Sequence, residues 1–584
     1  MSTISEEQVE TAVTFDLKEL TPSVNTAELF VKCLEAEGVE YIFGLPGEEN
    51  AHLMMALEKS PIKFILTRHE QGAAFMAEIY GKLTGKAGVC LGTLGPGATN
   101  LVTGVAESNM DRAPVVCITG QADSTRQHKE SHQAMDVVAM FRPITKWAMP
   151  VINSENVPEV VRKAFRFAQR EKPGACHIEL ADDVAAMPAK GKPIPAPYVR
   201  RPVPDDKIMN QAWEQIRNAK RPVILAGNGA IRTRTSRQLR RFVAQTGIGL
   251  VCTFMGKGCI SRHVKEYLFT IGVHAKNLAG CAACSADCVI TLGYDLVEYP
   301  PRMWNPNGDK KIVHIDFLPA ESDYCYQPTV EVVGDLAHAI WALNVRAAAD
   351  PVYFDTEDHR VIREQMLQSF EEYKDDDSVG LIKPQKVLWD LRQAMKEDDI
   401  LLSDVGAHKM WVARNYHCNE PNTCLIPNGF CSMGSALPGA IAAKMIYPNR
   451  RVVALCGDGG FLMNVQELET AKRVGTNIVC MIWQDNDYGL ISWKQRQQFG
   501  HSTDLSFGNP DFVKLAESFG CHGIRVERSR DLRAALDEAF EVDRPCLLAI
   551  PIDYRENEKL GEQFRAGLCP LKGKSCLNPL TPTT

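Results

Sequence analysis

The sequence predicts an α/β protein of three units built on largely parallel sheets, and three observations carry that reading. Short apolar runs of strand length recur along the chain, separated by stretches long enough for a crossover helix. Several of these runs end in glycine-bearing turns. A proline-rich passage and a charged passage divide the 584 residues into three lengths, each compatible with the roughly 100–200 residues of an ordinary domain.

Residues 1–22 are polar and acidic and read as a peripheral arm; without an apolar core segment they are not expected to act as a cleaved secretion signal. The first unit spans residues 23–184. It opens with a helix over Ala27–Leu34 and continues with strands at Tyr41–Phe43, Phe64–Leu66, Val89–Leu91 and Val115–Ile118, with helices over Ala73–Leu83 and Asn100–Ser108 between them. Residues 185–206, which include a segment with prolines at 193, 195, 197 and 202, read as a linker. The second unit, 207–349, offers strands at Pro222–Ala226, Cys288–Gly293 and Lys311–Asp316. A charged, weakly apolar crossover, 350–380, leads to the third unit, 381–565. Its strands are Asp399–Asp404, Arg451–Cys456, Asn477–Trp483 and Cys546–Pro551, and residues 566–584 form a tail.

Hydrophobic residues make up 45% of the chain and charged residues 23%, a balance that folds rather than staying disordered. A net charge of -7 with no basic tract argues against nucleic acid as a partner. No apolar run is long enough for a membrane helix, so no membrane partner is expected and the cytoplasm is the expected compartment. The 19 cysteines sit mostly alone inside apolar runs, as Cys90, Cys117, Cys456 and Cys480 do, and read as reduced core thiols. Cys281, Cys284 and Cys288 lie close in sequence but lack the fourth ligand of a closed zinc site.

Two strand ends in the third unit carry acids. One is Cys456-Gly-Asp-Gly-Gly460, whose glycines let backbone approach a ligand while Asp458 offers a hard-cation donor. A Gly-Asp-Gly sequence also occurs in ordinary turns. The following strand, however, ends in Gln484-Asp-Asn-Asp-Tyr488, and parallel strands deliver their C-terminal ends to one edge of a sheet. Asp458 and Asp485 therefore have a route to a shared divalent ion, completed by a carbonyl at Asp487, water and phosphate oxygens.

This pair of motifs resembles the metal-binding segment of thiamine diphosphate enzymes. The resemblance implies a three-domain thiamine diphosphate enzyme fold with pyrimidine-binding, central and diphosphate-binding domains, and Mg2+ held by Asp458, Asp485 and the carbonyl of Asp487. It places Gly406, Ala407 and His408 beside the diphosphate, with Gly459, Gly460 and Tyr488 also among the cofactor's neighbours. In Gly429-Phe-Cys-Ser-Met-Gly434 it puts Ser432 and Met433 at the aminopyrimidine, Met433 as an apolar wedge. In the first unit, Phe43-Gly-Leu-Pro-Gly47 supplies Pro46 and Gly47, and Thr67-Arg-His-Glu70 maps Glu70 onto the glutamate that activates the cofactor. Read alone, a glutamate in this position is better taken as a helix N-terminal residue favoured by the dipole; together with the third-unit motifs the resemblance implies the catalytic role. Gln133 falls where a glutamine faces the reacting carbonyl, with His132 nearby.

The longer resemblance, from about Leu29 to Arg555, is to acetolactate synthases. It is closest to their catabolic branch through Ser131–Trp147, Gly293–Trp304 and His314–Ala320. The implied reaction decarboxylates one pyruvate and joins the remaining two-carbon unit to a second pyruvate, giving 2-acetolactate and carbon dioxide. A related 2-oxo-acid decarboxylase, or a carboligase with another acceptor, is the alternative. A nonenzymatic homolog is disfavoured because Glu70 and both metal aspartates are present. FAD is not expected, since Gly293-Tyr-Asp-Leu-Val-Glu298 stands where the flavin-bearing branch has Arg-Phe-Asp-Asp-Arg, and Gly227-Asn-Gly229 is too short for a dinucleotide fingerprint. The family geometry makes a homodimer necessary for complete sites, with homotetramers common, and no obligatory regulatory subunit is expected. Trp493 and Lys494, in the expected substrate loop, match neither branch; Lys494 is either a carboxylate ligand or a solvent-facing charge.

Overall fold

The computed structural model describes residues 24–197, 201–232, 235–272 and 278–558; the arm over 1–22 and the tail over 566–584 lie outside the described residues. Three six-stranded sheets form the frame, and every paired neighbour in them is parallel. The first has the spatial order Lys63–Leu66, Tyr41–Gly44, Gly88–Gly92, Val115–Gln121, Ala175–Ala181, Trp147–Pro150. The central sheet runs Tyr267–Thr270, Gly249–Cys252, Pro222–Ala226, Cys288–Leu292, Lys311–Asp316, Val330–Val333. The third runs Cys424–Leu425, Ile400–Ser403, Val452–Gly457, Val479–Gln484, Cys546–Pro551, His522–Arg525. Helices cover both faces, which is why strands such as Val89 to Leu91 and Val452 to Cys456 are apolar at successive positions.

In each sheet the chain first winds outward one way and then the other. This leaves a crevice at the C-terminal edge where the order reverses, the usual ligand position of a doubly wound sheet. The reversal falls between Tyr41–Gly44 and Gly88–Gly92 in the first sheet, between Pro222–Ala226 and Cys288–Leu292 in the second, and between Ile400–Ser403 and Val452–Gly457 in the third.

The first and third units share one apolar core. Ala73, Ala77 and Tyr80 of the helix Glu70–Thr84 pack in the same cluster as Leu437, Ala440 and Ile441 of the helix Ala436–Ile446. On its other side Glu70–Thr84 meets the helix Pro96–Met110 so closely that a Cβ on Gly104 would lie 2.5 Å from Cβ of Ala74. The central unit has its own core, to which the helix Glu357–Glu371 contributes Ile362, Met366 and Phe370. That helix lies in the passage expected to be only weakly apolar; its buried positions 359, 362, 366 and 370 make one stripe at helical spacing.

The strand Ala175–Ala181 is absent from the sequence-based strand set because His177 and Glu179 interrupt its apolar run. Both are buried and paired, His177 Nε2 with Thr119 Oγ1 at 2.8 Å and Glu179 Oε2 with Gln121 Nε2 at 2.9 Å. Cys90, Cys117, Cys456 and Cys480 are buried free thiols. Cys281 and Cys284 lie on the helix Leu278–Ser285 and Cys288 on a strand, and among the described residues the one convergent set of metal-capable side chains is Glu78, Glu107 and Asp111. No described helix is long and apolar enough to cross a membrane.

Candidate active site

The first sheet's crevice gathers Pro46, Gly47 and Glu70. Gly47 follows the strand Tyr41–Gly44, and a Cβ there would lie 2.5 Å from the Thr93 side chain, so only glycine lets the two strand ends meet. Glu70 is the first residue of its helix, with His69 as N-cap accepting from the Gln71 N–H. It is also turned inward, 4% exposed. Asn100 Nδ2 donates to its Oε2 at 2.9 Å, and Oε1 points toward Gly97, 3.4 Å from where a Cβ would stand. The helix-end and buried-acid readings of Glu70 thus describe the same residue.

The entry to that helix is held from the third unit. Arg68 N and His69 N donate to Glu467 Oε1 at 3.1 and 3.0 Å, and Glu467 is fully buried. Gln133 is exposed with φ +58, and its Cβ and carbonyl lie 2.9 Å from where a Cβ on Gly95 would stand, at the start of Pro96–Met110. His132 is exposed, its carbonyl accepting from Arg126.

The third sheet's crevice gathers the acids. Asp458 begins a short helix after Val452–Gly457; its Oδ2 accepts from Asp485 N at 3.1 Å, Asn486 N at 2.8 Å and Asn509 Nδ2 at 2.8 Å, while Gly459 N donates to Oδ1. Burial, then the negative charges of Asp458 and Asp487, push the Asp485 carboxyl up to about 8. Asp487 Oδ1 is buried without a hydrogen-bond partner. A Cβ on Gly489 would lie 2.3 Å from Asp485 Oδ2, and one on Gly459 3.0 Å from the Tyr488 ring. Acids close enough for Asp458 and Asp487 to raise the Asp485 carboxyl, beside a buried unpaired Asp487 oxygen, fit a divalent cation.

Across the crevice, Gly406 and Ala407 lead into the helix Ala407–Asn415. Gly406 has φ +152, and a Cβ on it would lie 2.8 Å from the His408 ring. Burial holds His408 neutral, its imidazole lowered to about 3, and its Nε2 has no partner in the chain. The His408 ring also lies 3.2 Å from a Cβ placed on Gly457, next to Asp458. An unpaired buried ring nitrogen beside a cation-binding edge fits a diphosphate oxygen. The convergent set Glu78, Glu107 and Asp111 differs, because the Lys82 ammonium already sits 2.6 Å from Glu78 and 2.9 Å from Asp111.

Between the crevices runs the segment from Asn428 to Ser435. Ser432 is buried and Met433 half-buried; Cys431 has φ +65. Asp404, fully buried, accepts the Gly434 N–H at 2.9 Å. Burial pushes its carboxyl up to about 7 against the pull of four backbone N–H groups. Asp404 ends a predicted strand and Asn100 begins a predicted helix without either being singled out as a site residue, and Asn509 lies outside any motif; only their placement identifies them. Trp493 and Lys494, expected in a loop, lie on the helix Gly489–Phe499, which ends at Gly500 in a left-handed conformation. Trp493 is buried and Lys494 exposed.

In the central sheet, the carboxylate of Glu298 occupies the crevice. It accepts the backbone N–H of Asn228 at 3.0 Å and of Asp295 at 3.0 Å, together with the Thr253 hydroxyl. A Cβ on Gly227 would lie 2.8 Å from Glu298 Oε1. The amides of Asn228 and Asp295, just past two strand ends of the central sheet, are therefore bonded to an internal carboxyl group.

Three family matches follow the three sheets. The thiamine pyrophosphate enzyme N-terminal TPP binding domain matches residues 24–140, its central domain 209–343, and its C-terminal TPP binding domain 404–550. Over 548 residues the chain is 35% identical to acetolactate synthase of Bacillus subtilis (strain 168), covering 92% of this chain and 96% of the relative. It is 36% identical over 550 residues to the catabolic acetolactate synthase of Raoultella terrigena, with 92% and 97% covered. It is 31% identical over 542 residues to the acetolactate synthase isozyme 2 large subunit of Escherichia coli (strain K12), with 91% and 96% covered. The chain belongs to the acetolactate synthase family of thiamine pyrophosphate enzymes.

Proposed function

We propose that the chain is an acetolactate synthase that takes two pyruvates to 2-acetolactate and carbon dioxide, using thiamine diphosphate and Mg2+ and no flavin. The observation that carries this reading is the pairing of two crevices, one ending in buried Glu70 and the other in Asp458, Asp485 and Asp487. When bound, the cofactor supplies a carbanion and an electron sink for decarboxylation and carbon–carbon bond formation. Asp458 and Asp485 would hold the cation, His408 Nε2 would donate to the diphosphate, and Met433 would support the rings. Asn100 fixes Glu70 Oε2, so Oε1 would be the oxygen that meets the aminopyrimidine and holds the proton between them. Gln133, strained at φ +58 against Gly95, would present its amide to the substrate carbonyl.

The flavin-free, catabolic-like reading is supported by Glu298, whose carboxylate takes the amides at the central crevice. A homodimer is supported by exposed apolar side chains on and near the candidate site, among them Leu66, Met110, Phe430, Met463 and Tyr488, which a second copy would cover.

The test is incubation of the purified protein with pyruvate, Mg2+ and thiamine diphosphate without FAD, with products identified by NMR. Acetolactate with carbon dioxide is expected. Acetaldehyde as the sole organic product would make the protein a decarboxylase, and no turnover across 2-oxo acids and aldehydes would reject the carboligase assignment.

A further inference from the structure

The backbone from Asn428 to Ser435 is irregular and leaves N–H groups that it cannot satisfy itself, yet it carries Ser432 and Met433. Three acidic side chains take those groups. Gly429 N donates to Asp111 Oδ1 at 2.6 Å, Ser432 N to Glu107 Oε2 at 2.8 Å, and Gly434 N to Asp404. Glu107 and Asp111 are one helical turn apart at the end of Pro96–Met110, and both are completely buried. They come from the first unit, whereas the loop belongs to the third.

The central unit meets the same point. Asn228 Nδ2 donates to the Asp111 carbonyl and Asn428 Nδ2 to the Glu298 carbonyl, each at 3.0 Å. Behind Asp111, Lys82 donates to its Oδ2 at 2.9 Å and pairs with Glu78. Gly429 fits only because it lacks a side chain: a Cβ would lie 2.6 Å from Asp111 Oδ1 and 2.8 Å from the Met110 carbonyl.

We propose that Glu107 and Asp111 are positioning residues for the cofactor, fixing from the first unit the Gly429–Gly434 loop that seats the aminopyrimidine. The inference rests on the thiamine diphosphate reading above. Burial, reinforced by Asp111 and Glu78, pushes the Glu107 carboxyl up to about 9, so near neutral pH it meets Ser432 N–H as an uncharged acid. Glutamine offers the same uncharged carbonyl acceptor. Leucine fills the space but strands a buried N–H.

The test is calorimetric titration of the full-length protein with thiamine diphosphate plus Mg2+, and separately with inorganic pyrophosphate plus Mg2+. E107L should weaken thiamine diphosphate binding about tenfold, the scale of one lost hydrogen bond. E107Q should stay within about twofold of the unaltered protein. Both should bind pyrophosphate as the unaltered protein does, since Asp458, Asp485 and His408 are untouched. G429A, which leaves Glu107 in place, should reproduce the E107L pattern and covers the case in which E107L does not fold.

Equal loss of both ligands in E107L would reduce Glu107 to a purely structural role and overturn the proposal. So would normal thiamine diphosphate binding in E107L, or failure of E107Q to restore it. Absence of thiamine diphosphate binding by the unaltered protein would overturn the cofactor reading, and this inference with it. That failure is distinguishable because it precedes any substitution.

Discussion

Replacing Asp485 with asparagine should change how many protons leave the protein when Mg2+ and thiamine diphosphate bind. In the metal-free chain the Asp485 carboxyl is raised to about 8 by burial and by its neighbours Asp458 and Asp487. A carboxylate must be ionised to ligate a metal, so below that pH metal uptake displaces the proton. About one proton should be released at pH 6, and the apparent affinity should rise about tenfold per pH unit before levelling near pH 8. D485N has no proton to displace. Because the diphosphate's own titration is common to both proteins, the difference between them isolates this residue. Calorimetry in buffers of unequal ionisation heat counts the protons directly, and equal release from both proteins would refute the argument.

The same shift sets the sign of a stability effect. A folded pKa above the unfolded value of about 3.9 contributes stability that is present below pH 4 and lost as the pH rises through about 8. The metal-free protein should therefore lose thermal stability across this window relative to D485N, and bound Mg2+ with cofactor should restore it.

Three further outcomes are expected. Mixing inactive E70Q with inactive D458N after dissociation and reassociation should recover about one quarter of the unaltered activity, because half the dimers are hybrids and each has one intact site; no recovery despite hybrid formation would place both residues in one chain's site. E70Q should retain thiamine diphosphate but slow hydrogen–deuterium exchange at the thiazolium carbon by about 10²–10⁴-fold, read by NMR after acid quench. E298A should lose about 3 kcal/mol of stability by stranding the buried amides of Asn228 and Asp295, measured as denaturant midpoint at constant slope; an unchanged midpoint would remove Glu298 as the plug of the central crevice.

The parts of the fold legible in the sequence are those with local physical signatures. Cys546–Pro551 is a buried central strand and reads as one. His522–Arg525 is an edge strand with mixed polarity and carries no such signal. Ala175–Ala181 is hidden because its polar residues are satisfied by partners 58 positions away, His177 by Thr119 and Glu179 by Gln121. The site divides in the same manner. Glu70, Asp458 and Asp485 stand in motifs at strand ends, where parallel topology gives a short route from sequence to place. Glu107, Asp111 and Glu467 act on backbone amides hundreds of residues distant, and a helical Glu or Asp in sequence announces no such partner.

The apolar cluster common to the first and third units gives the chain an unequal modularity. Most apolar residues of the central unit lie in a cluster of its own, whereas the outer two, besides a cluster each, close one core between them, with Ala77 and Ile441 in the same interior. In folding terms the molecule is then one discontinuous body with the central unit spliced into it. A fragment ending after the first sheet would expose the helix Glu70–Thr84 along its length, while the central unit is the piece suited to excision or exchange.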